Sequence, residues 1–335
     1  MRDIQMAFLI LLLNLMVLAP SGAQATVVKG ALCRDLFRSE RVASALVKGH
    51  LEVSGRRVYF EYIPAQEGKP TALLFNGLLV PMTEFIQFKK EFLARADGEG
   101  VLIFAYSSQF DSMAGAPAPR AKVERASLRD YAEQAEALVR HLTIKGPIVP
   151  VGFSYGSAPV TEYVEPNRVR AQIRDVVFIA PLVFPGEASP PGVAAAMQAT
   201  EAALAWNPLG GMWMSQMREQ GARTVAENLV GNYMKTDVLP DGVAAADVES
   251  GLTEMIRAAD EFNLAEAELP KDVTVHFILA GQEDPGRRRS QDEAVAHFEK
   301  SNPVKVTVVE DSVHPLIGAK PKAAADAILK AMRRR

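Results

Sequence analysis

The residues best suited to chemistry in this chain form a Gly-x-Ser-x-Gly motif at positions 152–156, with Ser154 at its centre. An apolar run begins at Ile148, and residues able to open a helix follow the motif. A strand that turns into a helix within a few residues is crowded, and the flanking glycines remove side chains that would clash. The motif therefore predicts that Ser154 lies exposed on a sharp turn, where its hydroxyl can act as a nucleophile.

A serine nucleophile needs a base that accepts its proton and a third group that orients the base. His314 is the predicted base, because it lies in the loop that follows the predicted strand Val304–Val309. The other four histidines fall within or beside predicted strands and helices, where a structural or solvated role is expected: His50, His141, His276 and His297.

The orienting acid is predicted to be Asp284, in the loop 281–286 that follows the predicted strand 273–280. Its neighbour Glu283 is the alternative, and an acid beside glycine and proline can also simply cap a turn. Three more acids compete for the role: Asp311, three residues before His314, and the more distant Asp260 and Glu261.

Short apolar runs alternate with segments of helical periodicity along most of the chain. Fully apolar strands are expected where helices cover both faces of a sheet. The predicted strands are the hairpin 51–53 and 58–63, then 72–75, 101–106, the run before Ser154, 176–180, 273–280 and 304–309; the predicted helices are 82–94, 128–142 and 321–332. This alternation predicts a largely parallel sheet with functional loops at the carboxyl ends of its strands.

The segment 181–270 breaks this alternation. It contains no convincing strand, and it has helix-like runs at 193–206, 211–220, 224–234 and 248–262. It holds both tryptophans of the chain and six of its twelve methionines. A helical insertion above the sheet is predicted, whose methionines either line an adaptable apolar pocket or form a small core of its own.

The first 25 residues have the pattern of a signal peptide. Arg2 precedes an apolar run over 6–19, and the small residues Ala23 and Ala25 predict cleavage after Ala25. The run is shorter than the roughly 20 residues of a membrane span, so a retained anchor is the weaker alternative. We expect an exported protein, periplasmic or secreted, without a stable membrane anchor. Cys33 is the single cysteine, which excludes an internal disulfide, and we expect it to be a buried thiol.

Composition narrows the class further. A chain of 335 residues with 48% hydrophobic residues can bury a large core. The formal net charge is -3, whereas nucleic-acid-binding proteins usually carry a basic patch. We therefore expect a small-molecule substrate, no nucleic-acid partner, and no cofactor or metal.

The sequence resembles the α/β-hydrolase family over nearly the whole mature chain. The resemblance rests on the motif at 152–156, the acid loop 281–285, His314 before a final helix, and the run 165–169 leading into 176–181. It implies an α/β fold of three layers, with a mostly parallel central sheet and helices on both faces. The core would comprise 26–180 and 271–335, and 181–270 would be a helical cap.

The resemblance also implies roles for individual residues. Ser154 would attack an acyl carbon, His314 would carry the proton and Asp284 would hold the imidazole, while the backbone N–H groups of Tyr155 and Leu78 would meet the oxyanion. Many relatives have His-Gly where this chain has Asn-Gly at 76–77. Because the donors are backbone groups, this departure should not abolish the oxyanion hole.

These features predict an exported serine hydrolase that cleaves carboxylic esters, similar to esterases and lipases. The serine nucleophile disfavours the dehalogenase and epoxide-hydrolase branches, which use aspartate at that position. One alternative is a capped serine peptidase or amidase. An acidic cluster that binds the amino group of a substrate would favour it, and the insertion offers only weak candidates for such a cluster: Glu201, Asp260 and Glu261. The other alternative is a catalytically silent binding protein on the same scaffold.

Overall fold

The computed structural model describes residues 46–78, 80–114, 126–164, 173–183, 220, 222–223, 226–227, 230, 243–260 and 262–333. The predicted signal peptide, Cys33 and most of the predicted insertion lie outside these residues. Within the described ranges, no helix combines the length and the apolar character needed to cross a membrane.

Eight strands form one sheet in the order β1-β2-β4-β3-β5-β6-β7-β8. β1 pairs antiparallel with β2, β2 pairs antiparallel with β4, and all the other neighbours are parallel. The strands are β1 Val47–Val53, β2 Arg56–Ile63, β3 Thr71–Phe75, β4 Gly100–Ala105, β5 Ile148–Phe153, β6 Asp175–Ile179, β7 Thr274–Ala280 and β8 Val304–Val309. The predicted mostly parallel sheet is confirmed.

Helices follow most of the parallel strands. They are α1 Phe85–Arg95, α2 Phe110–Met113, α3 Leu128–His141, α4 Ser157–Val164, α5 Ala245–Ala258, α6 Pro285–Phe298, α7 Leu316–Ala319 and α8 Pro321–Met332. In the part of the chain that the structure describes, short 3₁₀ helices span Met82–Glu84, Ser154–Gly156 and Leu264–Glu266. The helix predicted over 82–94 is thus a 3₁₀ turn followed by α1, and the one predicted over 248–262 begins and ends earlier, as α5.

Apolar side chains fill both faces of the sheet, as the fully apolar strands predict. One core cluster includes Tyr131 of α3, Val160 of α4 and Phe298 of α6. The other includes Phe88 of α1 and Ile328 of α8. The sheet is therefore the middle of three layers, and the carboxyl ends of its parallel strands are held rigidly between two packed faces.

The predicted cap at 181–270 is described mainly through α5. This helix packs beside α2 in a small cluster that contains Met113, Val230, Val248 and Leu252. A cap domain remains a prediction for the rest of the segment.

Candidate active site

The turn after β5 has the geometry that the Gly-x-Ser-x-Gly motif predicts. Ser154 has a φ of 51°, in the left-handed region that side chains rarely adopt. The chain passes from β5 through the 3₁₀ turn Ser154–Gly156 directly into α4. A Cβ on Gly152 would lie 2.8 Å from the carbonyl oxygen of Gly156, and one on Gly156 would lie 2.1 Å from that of Phe75. Only glycine fits at either position, because the backbone atoms cannot give way.

The hydroxyl of Ser154 lies 2.8 Å from Nε2 of His314. The two residues are 160 positions apart in sequence, and the sheet brings them together because each follows the carboxyl end of a strand, Ser154 after β5 and His314 after β8. The pairing of serine with histidine predicted from the loops is therefore present in the structure.

The other ring nitrogen of His314, Nδ1, lies 2.8 Å from Oε2 of Glu283. An ionised carboxylate only accepts hydrogen bonds, so Nδ1 carries the proton and Nε2 is left free to accept the hydroxyl proton of Ser154. The chain Ser154–His314–Glu283 thus has the connectivity of a nucleophile, a base and an orienting acid.

The choice of Asp284 as the acid next to the histidine is corrected by this geometry. Asp284 is the N-cap of α6, and its carboxylate accepts hydrogen bonds from the backbone N–H groups of Gly286, at 2.9 Å, and Arg287, at 3.3 Å. Its side chain therefore bonds to N–H groups at the N-terminus of α6 that have no partner within the helix. Glu283, the alternative at the sequence level, is the acid that faces His314.

Glu283 is built to be a charged acceptor. Its side chain is only 2% exposed, and this burial raises its pKa. The hydrogen bond from His314 and the positive charge of its protonated ring act in the opposite direction. Together with the backbone N–H of Asp284 and the charge of Arg287 they prevail, so the pKa of Glu283 is lowered. The carboxylate therefore stays ionised where it holds the imidazole.

Ser312 joins the loop that carries the acid to the loop that carries the histidine. The backbone N–H of Gln282 donates to the carbonyl of Ser312 at 2.7 Å, and that of Gly281 donates to the hydroxyl of Ser312 at 3.3 Å. Ser312 is 1% exposed. These bonds fix the two loops relative to each other, and this helps to keep His314 and Glu283 within hydrogen-bonding distance.

Tyr155 and Leu78, the residues predicted to supply the oxyanion hole, pack in one core cluster. Tyr155 follows Ser154 directly and is buried. Leu78 follows β3 by three residues and packs, half-buried, against the same core cluster as Tyr155. Their role as oxyanion donors remains a prediction.

Three of the other histidines have structural partners, as the sequence predicts. His276 bonds to Asp175 at 2.7 Å, His297 to the carbonyl of Ala267 at 2.9 Å, and His50 to the carbonyl of Asp111 at 3.3 Å. His141 packs edge-on against Phe60. Within the ranges that the structure describes, no group of three or more His, Cys, Asp and Glu side chains could hold a metal ion.

Residues 72–327 match the alpha/beta hydrolase family. This match covers most of the chain, and it agrees with the sheet order, the strained serine turn and the positions of the acid and the histidine after later strands. The chain belongs to the alpha/beta hydrolase family.

Solved structures share this fold at low sequence identity. An esterase from Exiguobacterium antarcticum is 13% identical, with a TM-score of 0.55, over 86% of this chain and 100% of its own. An alpha/beta hydrolase from a Medee basin deep-sea metagenome library is 12% identical, with a TM-score of 0.54, over 86% of this chain and 98% of its own. A bromoperoxidase from Bacillus anthracis is 15% identical, with a TM-score of 0.52, over 86% of this chain and 100% of its own. These names span different reactions, so the likeness establishes the fold alone.

No curated protein matches the sequence.

Proposed function

We propose that this protein is a serine hydrolase that cleaves carboxylic esters of small molecules through an acyl-enzyme. The observation that carries the proposal is the continuous hydrogen-bonded chain from Oγ of Ser154 through the two nitrogens of His314 to Glu283, with both contacts at 2.8 Å. The strained φ of 51° at Ser154 also supports the proposal, because it belongs to the sharp turn that presents the hydroxyl to His314. A histidine whose tautomer is fixed by a buried carboxylate is the arrangement that activates a hydroxyl.

The reaction follows from the atoms in place. The oxygen of Ser154 attacks the acyl carbon while Nε2 of His314 takes the hydroxyl proton, and Glu283 stabilises the imidazolium that results. The carbonyl oxygen becomes an oxyanion, which accepts hydrogen bonds from the backbone N–H groups of Tyr155 and Leu78. Collapse breaks the ester bond, and His314 returns its proton to the departing alcohol. Water then attacks the acyl-enzyme by the same route, releasing the acid and free Ser154.

Export to the periplasm or the medium is part of the proposal and rests on the pattern of residues 1–25. Its test is the N-terminal sequence of the protein recovered from its host, for which we expect a start at residue 26. Recovery of the full chain from the cytosol would contradict export and leave the chemistry untouched.

Ester cleavage is tested by comparing the wild type with Ser154→Ala on p-nitrophenyl acetate and butyrate. Loss of the nucleophile should lower kcat by about 10⁴-fold or more. Turnover that survives the substitution unchanged would refute the proposal. Aminoacyl-naphthylamides form the second arm of the assay, and a preference for them over the esters would identify a peptidase or amidase instead.

A further inference from the structure

The loop after β3 carries Leu78, the residue whose N–H the proposed reaction uses, and the side chain of Asn76 holds this loop from within. Asn76 is completely buried. Its Oδ1 accepts a hydrogen bond from the N–H of Gly77 at 2.7 Å, and its Nδ2 donates to the carbonyl of Val80 at 2.7 Å. One side chain thus bonds to the backbone of both Gly77 and Val80, and the turn that begins at Gly77 is fixed from within.

A second buried amide reaches the same turn from the loop after β4. Gln109 is 1% exposed, and its Nε2 donates to the carbonyl oxygen of Gly77 at 2.7 Å. Its Oε1 accepts from the N–H of Tyr106 at 3.0 Å, and Nδ2 of Asn76 lies 3.4 Å from the same oxygen. The hydroxyl of Tyr106 also donates to the carbonyl of Asn76 at 3.0 Å. The turn is therefore anchored by side chains on both sides.

The bond to the carbonyl of Gly77 matters because of the peptide that it fixes. The carbonyl of Gly77 and the N–H of Leu78 belong to one planar unit, in which the two groups point in opposite directions. Holding the carbonyl therefore sets the direction of the Leu78 N–H. Glycine offers little resistance to rotation of this peptide. The orientation of the peptide therefore depends on the side chains that bond to it.

This peptide lies against the nucleophile turn. A Cβ added to Gly156 would lie 2.9 Å from the carbonyl of Asn76, and one added to Gly77 would lie 3.3 Å from the ring of Phe153. The turn that Asn76 and Gln109 hold is thus packed on Phe153, the residue before Ser154, and on Gly156, two residues after it.

We propose that Asn76 and Gln109 are positioning residues that hold the Gly77–Leu78 peptide so that the N–H of Leu78 faces the oxyanion. This inference rests on the proposed function. It also explains how a chain with Asn-Gly at 76–77 keeps an ordered donor: two amides, one from each loop, fix the peptide before substrate arrives. Preorganised donors of this kind act in the transition state more than in substrate binding.

Gln134 of α3 provides a matched control. It is 2% exposed, its Oε1 accepts from the N–H of Ser107 at 3.1 Å, and its Nε2 donates to the hydroxyl of Ser107 at 2.9 Å. The side-chain oxygens of Gln109 and Gln134 therefore accept from the N–H groups of two neighbouring residues, Tyr106 and Ser107. Only Gln109 bonds to the Gly77 carbonyl, so Gln109→Met and Gln134→Met remove similar structural contacts and differ at the oxyanion loop.

The test measures turnover of p-nitrophenyl butyrate and inhibition by a trifluoromethyl alkyl ketone, which forms a tetrahedral oxyanion adduct with an active serine. We expect Gln109→Met to lower kcat by on the order of 10- to 100-fold with KM nearly unchanged, since outright loss of an oxyanion donor costs about 10²–10³-fold. Ki for the ketone should rise by a similar factor, whereas Ki for the corresponding secondary alcohol should stay constant. Gln134→Met should change each value by less than about threefold, as expected for a residue outside the transition-state contacts.

Thermal unfolding by circular dichroism shows whether each variant is folded. If Gln109→Met does not fold, Asn76→Ala takes its place, because alanine removes the side-chain bonds to Gly77 and Val80 and adds no charge near the oxyanion. Equal losses in the Gln109 and Gln134 variants, or an unchanged Ki for the ketone, would overturn the inference while the proposed function stands. A wild type that neither turns over esters nor binds the ketone would instead overturn the proposed function.

Discussion

Glu283 and Asp284 are neighbours in sequence with different tasks in the structure. Glu283 turns its buried carboxylate towards Nδ1 of His314, whereas Asp284 turns outward and caps α6. The proline after Asp284 occupies the first turn of that helix, where it needs no hydrogen-bonding N–H. The backbone direction at this point decides which acid meets the histidine, so exchanging their roles would require α6 to begin elsewhere.

The two acids can be separated by a pair of isosteric substitutions. Glu283→Gln keeps the shape and removes the charge that holds the imidazole, so kcat should fall by on the order of 10³- to 10⁴-fold. Asp284→Asn should leave kcat within about threefold and the free energy of unfolding nearly unchanged, because asparagine caps helices about as well as aspartate. Steady-state kinetics on p-nitrophenyl butyrate decide the assignment, and the opposite ranking of the two variants would restore Asp284 as the triad acid.

The sequence was sufficient to predict Ser154 and His314, because glycine spacing and the ends of apolar strands are local signals. It could not rank Glu283 against Asp284 by distance, since both follow β7 within a few residues. An Asp-Pro-Gly run ahead of a helix does favour an N-cap at the aspartate, and this signal would have pointed to Glu283. Gln109 had no comparable signal, because its partners come from another loop.

At the scale of elements, the junction of β5 with α4 depends on close backbone contact with the end of β3. Gly156→Ala would drive a Cβ to 2.1 Å from the carbonyl of Phe75, so we expect destabilisation by about 3 kcal/mol or more. Gly49→Ala in β1 is the control, because its Cβ would meet only the ring of Phe60 at an ordinary 3.5 Å. Urea unfolding measures both, and equal stability of the two variants would contradict this description of the junction.

The segment after β4 supports the loop after β3 through Asp111, whose carboxylate accepts a hydrogen bond from the N–H of Met82 at 3.1 Å. Burial raises the pKa of Asp111 to about 6, with a contribution from the charge of Glu61, although the N–H of Met82 and the charge of Lys89 oppose the shift. Lys89 itself pairs with Glu61. The side chains of Tyr59, His50 and Arg57 belong to the same cluster.

This raised pKa predicts a dependence of stability on pH. Between about pH 4 and pH 6 the folded chain keeps a proton on Asp111 that the unfolded chain has lost, so the contribution of this group to the free energy of unfolding falls as pH rises. A shift of about two units corresponds to about 3 kcal/mol at most. Asp111→Asn does not titrate, so its stability relative to the wild type should increase across this window. Urea unfolding at several pH values tests this, and a constant difference would refute it.

At the scale of the whole molecule, α5 is the described helix of the predicted cap segment, and it is anchored to the core. Glu254 of this helix accepts hydrogen bonds from the hydroxyl of Ser108 at 2.6 Å and from the N–H of Ala126 at 3.0 Å, and it pairs with Arg56 at 2.8 Å. The hydroxyl of Tyr155 donates to the carbonyl of Met255 at 2.9 Å. Tyr155 and the turn that contains Gln109 thus both contact the same helix, which fixes α5 beside the turn that carries Ser154.

Loss of the carboxylate of Glu254 should loosen α5 specifically. Glu254→Ala removes all three contacts at once, which we expect to cost about 1–3 kcal/mol, and amide hydrogen exchange in α5 should accelerate more than in α8. Glu249→Ala on the same helix is the control, because its carboxylate makes none of these three contacts. Exchange in α5 that is equal in the two variants would show that Glu254 does not hold the helix.

The overall architecture was the most predictable level, because apolar strand periodicity and helix spacing recur along the chain. The strand Val304–Val309 and the helix Pro321–Met332 have the predicted bounds. The anchoring of α5 was not predictable, since Glu254 and Ser108 are 146 positions apart and neither occurs in a recognisable motif.

The central claim is that Ser154 is an activated nucleophile, and labelling by a fluorophosphonate tests it most directly because no substrate has to be known. Intact-protein mass spectrometry should show a single adduct on the wild type, and peptide mapping should locate it on Ser154. Ser154→Ala should not be labelled, and Glu283→Gln should react more slowly than Asp284→Asn. A folded wild type that takes up no label, or carries it on another residue, would contradict the account.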